Sequence, residues 1–224
     1  MGEISLTIEC GHDRGPVSGL LVSAHDARAL FVFGHGAGAG LRHPFMEAVA
    51  SRLSASGVSS LRYQFPYMES GRRAPDARPV LVETVRAAVR DAVGLSAGLP
   101  VVAGGKSMGG RMTSTAAAEA CLPGVRGLAF FGFPLHAAGR DSSERGTHLA
   151  EVGLPMLFLQ GTRDRLANLE LLRPVLDVVE PPPTLHVLDG ADHGFHVLKR
   201  SGRTDDAVLD EACGAFVSWV ERFD

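Results

Sequence analysis

At residues 105–109 the chain reads Gly-Lys-Ser-Met-Gly, where an apolar run (99–103) gives way to an alanine-rich stretch (108–120). A strand that turns straight into a helix around a serine forces that serine into a strained backbone conformation. The turn closes only when its neighbours carry no bulky Cβ. Gly104, Gly105, Gly109 and Gly110 meet that demand. A strand–turn–helix unit is therefore expected here. It would lift the Ser107 hydroxyl clear of a sheet edge, beside the free N–H groups and positive dipole end of the helix. A phosphate-binding loop would need a glycine five positions before the Gly of Gly-Lys-Ser. That position is Pro100, inside the apolar run, so the spacing disfavours nucleotide binding. From this segment alone, a plain glycine-rich turn is the competing reading.

A serine hydroxyl becomes a nucleophile when a base takes its proton, and the base needs an orienting acid. The order that accompanies such a turn is serine, acid, histidine. The apolar run 156–159, bounded by Pro155 and Gly161, reads as a buried strand and empties into Gly161-Thr162-Arg163-Asp164. A second run, 185–188, precedes a loop that holds His193 between Gly190 and Gly194. Ligands of open α/β sheets bind outside the carboxyl ends of the strands, so three such loops would converge on one site. Asp141, in the preceding strand-end loop, is the rival for the acid. Asp192 is a poorer candidate, because neighbours in an extended segment point to opposite sides. Asp189, Asp192, His193 and His196 could also be read as metal ligands, but no Cys partner and no H-E-x-x-H helix supports that. No metal and no cofactor is expected.

Charge developing on a carbonyl oxygen needs fixed N–H donors. One is expected from Met108, immediately after the serine. The other is expected from the glycine-rich loop 34–40 that follows the run 30–33; Ala37 is the first choice, with Gly36 and Gly38 next. His35 in that loop reads as a structural hydrogen-bonding residue. In the loop 62–76, Tyr67, Glu69 and Arg72, together with Arg73, are candidate substrate contacts, against the alternative of a solvated surface loop.

Eight apolar runs, at 4–8, 17–22, 30–33, 58–63, 99–103, 125–133, 156–159 and 185–188, could each supply a strand. Most of the later ones alternate with helical stretches, which predicts an α/β fold with a mainly parallel, doubly wound sheet. The first two lack an intervening helix and should form an antiparallel edge. Val85, Val89, Ala92 and Val93, and likewise Val208, Ala212, Ala215, Phe216 and Trp219, repeat at helical spacing and read as core faces. Pro174 should start or kink a helix over 169–179. The 224 residues suit a single domain, 1–224, burying roughly 70–75% of its unfolded surface. The stretch between the runs ending at Phe133 and starting near Pro155 is too short for a separate cap domain.

His35-Gly36-Ala37-Gly38, Gly105-Lys106-Ser107-Met108-Gly109-Gly110, Gly161-Thr162-Arg163-Asp164 and Asp192-His193-Gly194-Phe195 resemble the oxyanion loop, nucleophile elbow, acid loop and histidine loop of the α/β-hydrolase superfamily, in that family's order. More narrowly, Gly105-Lys106-Ser107-Met108-Gly109-Gly110-Arg111, with Phe65-Pro66-Tyr67-Met68-Glu69 and Gly71-Arg72-Arg73-Ala74-Pro75-Asp76, is similar to the compact branch that is dienelactone-hydrolase-like or Tex30-like. A true dienelactone hydrolase has a cysteine where this chain has Ser107. The resemblance implies an eight-stranded α/β-hydrolase fold and a serine hydrolase acting on small carboxylic esters or thioesters through Ser107, Asp164 and His193. Some members of the branch serve as subunits of regulatory assemblies, so a catalytically silent binding or scaffold role is the alternative from a different class. A small acyl-peptide hydrolase is the second alternative. The absence of a lid favours small acyl substrates over long-chain lipids.

A net charge of −3 gives no basic field for nucleic acid. The N-terminus has no signal-peptide pattern and no apolar run reaches the ~20 residues a bilayer needs, so a cytoplasmic location and no membrane partner are expected. The small-molecule acyl substrate is the expected partner; the sequence leaves the oligomeric state open. Cys10, Cys121 and Cys213 form no C-x-x-C pair, and buried free thiols are the expectation.

Overall fold

A computed structural model describes residues 2–223. Eight strands form one sheet: β1 (Glu3–Ile8), β2 (Val17–Val22), β3 (Ala29–Gly34), β4 (Val58–Tyr63), β5 (Val101–Lys106), β6 (Val125–Phe131), β7 (Met156–Gly161) and β8 (Thr184–Leu188). Their spatial order is β1-β2-β4-β3-β5-β6-β7-β8. The pairs β1/β2 and β2/β4 are antiparallel. Every later pair is parallel, as the alternation of apolar runs and helical stretches requires. This is an α/β-hydrolase fold without a separate cap domain.

Helices cover both faces. On one side lie α1 (Pro44–Ala55) and α6 (Asp205–Val220), over a core that includes Phe31, Phe33, Phe131 and Phe216. On the other lie α3 (Arg78–Leu95), α4 (Met108–Glu119) and α5 (Leu169–Leu176), over Val32, Val85, Val89, Phe130 and Phe158. A short helix, α2 (Pro66–Glu69), follows β4. Strands β3, β4 and β7 are buried along their whole length, because both their faces are covered. Edge strand β1 is exposed over most of its residues. Local signals set the helix starts. Pro44 occupies the first turn of α1 while the His43 side chain accepts from the Phe45 N–H, and Thr204 caps α6 by accepting from the Ala207 N–H.

Three boundaries differ from the apolar runs. Strand β5 runs on to Lys106, because Gly104 and Gly105 pair with β3 and β6 without any apolar side chain to signal it. Strand β6 stops at Phe131: Gly132, at φ +73°, turns the chain, and Phe133 is buried beyond the strand. Helix α5 ends at Leu176, within a turn of Pro174, which has no N–H to bond the carbonyl one turn back. Between β6 and β7 the chain forms a 3₁₀ helix (Glu144–Glu151), which no apolar pattern announced. Of the three free thiols only Cys213 is buried. Cys10 is half-buried and Cys121 exposed, since the latter lies just past the C-terminus of α4.

The register aligns the sheet's carboxyl edge. Gly34 lies opposite Gly105, Lys106 opposite Phe131, and Gly161 opposite Leu188. The loops that follow these residues carry Ala37, Ser107, Asp164 and His193 to one place.

Candidate active site

Ser107 is the N-cap of α4 and sits at φ 52°, ψ −114°, a conformation that costs a non-glycine residue about 1–3 kcal/mol. Close packing over-determines it. A Cβ on Gly109 would lie 2.3 Å from the Gly34 carbonyl oxygen, and one on Gly105 would lie 2.5 Å from the same atom. Only glycine lets β3, β5 and the first turn of α4 approach this closely, and that approach lifts the serine above the sheet.

The hydroxyl of Ser107 lies 2.8 Å from His193 Nε2, and His193 Nδ1 lies 2.7 Å from Asp164 Oδ2. Asp164 is buried. Two further donors hold its carboxylate: Gln160 Nε2 reaches Oδ2 at 2.6 Å, and the Leu166 N–H reaches Oδ1 at 2.7 Å. With Oδ2 accepting, His193 carries its proton on Nδ1 and presents Nε2 as acceptor to Ser107. Burial pulls the His193 pKa below its ordinary value, the Asp164 hydrogen bond opposes that, and the Lys106 charge adds to it.

Asp141 is elsewhere. It accepts from Asn168 Nδ2 at 2.9 Å and lies 3.7 Å from His136, with its side chain largely exposed. Asp192 Oδ1 accepts the backbone N–H groups of Gly194 and His196, which shapes the histidine loop, and His196 pairs with Asp205 at 2.7 Å. Among the described residues no group of three or more His, Cys, Asp or Glu side chains is arranged to hold a metal ion.

The backbone N–H groups of Ala37 and Met108 have no acceptor among the described residues, and both residues border the recess beside Ser107. His35 fixes the loop that carries Ala37. Its Nε2 accepts from the Phe65 N–H at 3.1 Å and its Nδ1 donates to the Gly36 carbonyl at 2.7 Å. Burial pushes its pKa down to about 4, so it is a neutral structural residue.

The three residues expected to touch substrate are placed differently. Tyr67 is fully buried, and its hydroxyl accepts from the Gly38 N–H at 2.9 Å, so it braces the Ala37 loop from behind. Glu69 accepts from the Ser18 N–H and hydroxyl at 3.0 and 2.8 Å, tying α2 to β2. Arg72 donates to Asp76 at 2.7 Å. None of the three lines the spaces that border Ser107. The sequence pattern of a polar loop cannot distinguish side chains aimed at a cleft from those that lash the loop to its own scaffold.

Two residues that the sequence reading passed over belong to the site. Lys106, noticed only as part of Gly-Lys-Ser, donates to the His193 carbonyl and lies between the rings of Phe45 and Phe195, 5.4 and 5.2 Å from their centroids. Burial pushes its amine down to about 8, against the pull of Asp164 and Asp192. Gln160, the one amide in the run that forms β7, is fully buried and orients Asp164. A buried amide one residue before a strand-end loop is the signal that could have found it.

A cavity of about 580 Å³ opens beside Ser107 and His193, walled largely by apolar groups that include Pro44, Phe45, Met46 and Leu209. Ser107 and His193 both line it and both are partly exposed.

Residues 27–221 match the family model described as an alpha/beta hydrolase domain. The chain belongs to the α/β-hydrolase family. Solved structures of the same fold include a dienelactone hydrolase from Anabaena variabilis, which is 20% identical with a TM-score of 0.78, over 99% of this chain and 97% of that one. A lidless serine hydrolase from Xanthomonas campestris is 19% identical with a TM-score of 0.76, over 100% and 95% of the two chains. Est1E from Butyrivibrio proteoclasticus is 16% identical with a TM-score of 0.72, over 97% and 99%. Membership of the α/β-hydrolase family, with these neighbours, supports a hydrolase. Among the described residues no helix is long and apolar enough to cross a membrane.

Proposed function

We propose that this α/β-hydrolase cleaves small carboxylic esters or thioesters through an acyl-enzyme on Ser107. The observation that carries the reading is the unbroken series Ser107 Oγ, His193 Nε2, His193 Nδ1, Asp164 Oδ2 at the mouth of an open, mainly apolar cavity.

In this mechanism His193 takes the Ser107 proton as Oγ attacks the acyl carbonyl, and Asp164 stabilises the imidazolium that forms. The unpaired N–H groups of Ala37 and Met108 receive the oxyanion, a contribution of about 2.7–4 kcal/mol per donor in the transition state. His193 then gives its proton to the leaving oxygen or sulfur. Water attacks the acyl-enzyme with His193 again as base, and Ser107 is regenerated.

The decisive experiment is covalent labelling by a fluorophosphonate probe, which reports activation of the serine without knowledge of the substrate. Labelling of the wild-type protein that is lost in Ser107→Ala is the expected result. A folded wild-type protein that resists the probe would transfer the reading to a binding role.

A further inference from the structure

Ser107 borders two spaces. Opposite the apolar cavity lies a smaller recess of about 380 Å³, which Ser107 and Met108 share with Arg78, Arg111, Arg145 and Asp76. Its charges do not cancel. Asp76 is the only carboxylate lining it among the described residues; its Oδ1 is held by Arg72 at 2.7 Å and Arg14 at 3.7 Å, while its enclosed Oδ2 has no hydrogen-bond partner. Arg78 has Glu119 at 3.7 Å. Among the described residues neither Arg111 nor Arg145 has a carboxylate within 4.0 Å, although Glu119, Glu144 and Glu151 line the adjoining outer groove. Arg111 stands on the first turn of α4 and is partly buried, and its Nε is enclosed without any hydrogen-bond partner. Burial works against its charge, and the neighbouring Arg145 and Arg78 charges add to that. The two terminal nitrogens of Arg111 are not enclosed and donate to no acceptor among the described residues, so they remain free to bind an anionic oxygen.

We propose that the recess formed by Arg78, Arg111 and Arg145 binds a phosphate monoester group on the substrate, held beside the scissile acyl bond. Two guanidinium groups without carboxylate partners match the charge of a phosphate dianion, and several convergent N–H forks match its oxygens better than one carboxylate could. The inference rests on the hydrolase reading for the chemistry. Only the acyl C–O or C–S bond breaks, water supplies the hydroxyl, and the phosphate is gripped and released unchanged. The apolar cavity then receives the other end of the same molecule.

The test is calorimetric titration of phenyl phosphate, with benzoate as the singly charged comparison, into wild-type, Arg111→Gln, Arg145→Gln and Ser107→Ala proteins whose folding is checked by circular dichroism. Phenyl phosphate should bind the wild type more tightly than benzoate, and its affinity should fall at least tenfold in each arginine variant while persisting in Ser107→Ala. Absence of binding to the wild type, wild-type affinity retained in either arginine variant, or tighter binding of benzoate would overturn the proposal. Binding does not require the serine to react. A protein that binds phenyl phosphate but resists the fluorophosphonate probe loses the hydrolase reading and keeps the anion site, and the reverse pattern does the opposite.

Discussion

At the scale of single residues, the site is a set of hydrogen bonds that fix proton positions. Asp164 Oδ2 receives both Gln160 and His193, so the His193 tautomer follows from donor and acceptor inventory alone. Asp164→Asn should lower kcat by about 10⁴-fold, because the amide favours the wrong tautomer. Asp141→Asn, at the far end of the Asn168 hydrogen bond, should leave turnover near the wild-type value. Turnover kept in Asp164→Asn and lost in Asp141→Asn, measured in the same ester assay, would reverse the acid assignment. Burial lowers the His193 pKa, so the acid limb of kcat/KM against pH should have its midpoint below 6.5. Lys106 contributes to that lowering, and Lys106→Met should therefore move the limb to higher pH; an unmoved limb would remove Lys106 from the electrostatics of the site. That Ser107, Asp164 and His193 would meet was legible in the sequence, because each sits in a loop with glycine beside it after an apolar run. Tyr67, Glu69 and Arg72, expected at the substrate, lie outside the spaces bordering Ser107, because side-chain direction in a loop is set by what the loop packs against, and sequence spacing does not record that.

At the scale of elements, the placement of Ser107 depends on how closely α4 approaches β3. Gly109 to Ala puts a methyl group 2.3 Å from the Gly34 carbonyl, and the backbone on both sides must give way. A loss of about 1–3 kcal/mol in denaturant unfolding is expected, with probe labelling reduced as the serine is displaced. Gly214 offers the contrast. It lies within α6 with no atom within 4 Å of an added Cβ, so Gly214→Ala should stabilise the fold by about 0.5–1 kcal/mol. If the two substitutions had the same effect, close packing at the elbow would not be what holds Ser107 in place. The strands were legible as apolar runs, and their ends were not. Glycine carries β5 forward to Lys106 without any apolar signal, while Phe133 extends the run past the end of β6 because loop residues there are buried too.

At the scale of the whole molecule, one buried and one half-buried histidine, His35 and His148, couple stability to pH. Burial pushes both His35 and His148 down to about 4, from 6.5 in an exposed chain. The unfolded chain therefore takes up these protons first as pH falls. Their contribution is complete above pH 6.5 and is lost as pH drops toward 4, by up to roughly 3 kcal/mol for His35 and by less for the part-exposed His148, where solvent screens the charge. Thermal midpoints should fall across that window, and His35→Gln should flatten part of the slope; a slope unchanged by the substitution would remove His35 from it. The overall architecture followed from the order of apolar runs and helical stretches, since right-handed crossovers leave few ways to arrange them. The arginine recess was not legible, because Arg78, Arg111 and Arg145 come from two helices and a 3₁₀ segment that only the folded sheet brings together. The central claim is that Ser107 forms an acyl intermediate, and trapping that intermediate tests it most directly. Wild-type protein quenched in acid during turnover of 4-nitrophenyl acetate and mapped by peptide mass spectrometry should carry one acetyl group, on Ser107, and none when treated with hydroxylamine before digestion. Ester turnover with no adduct on that peptide, or an adduct that remains in Ser107→Ala, would contradict it.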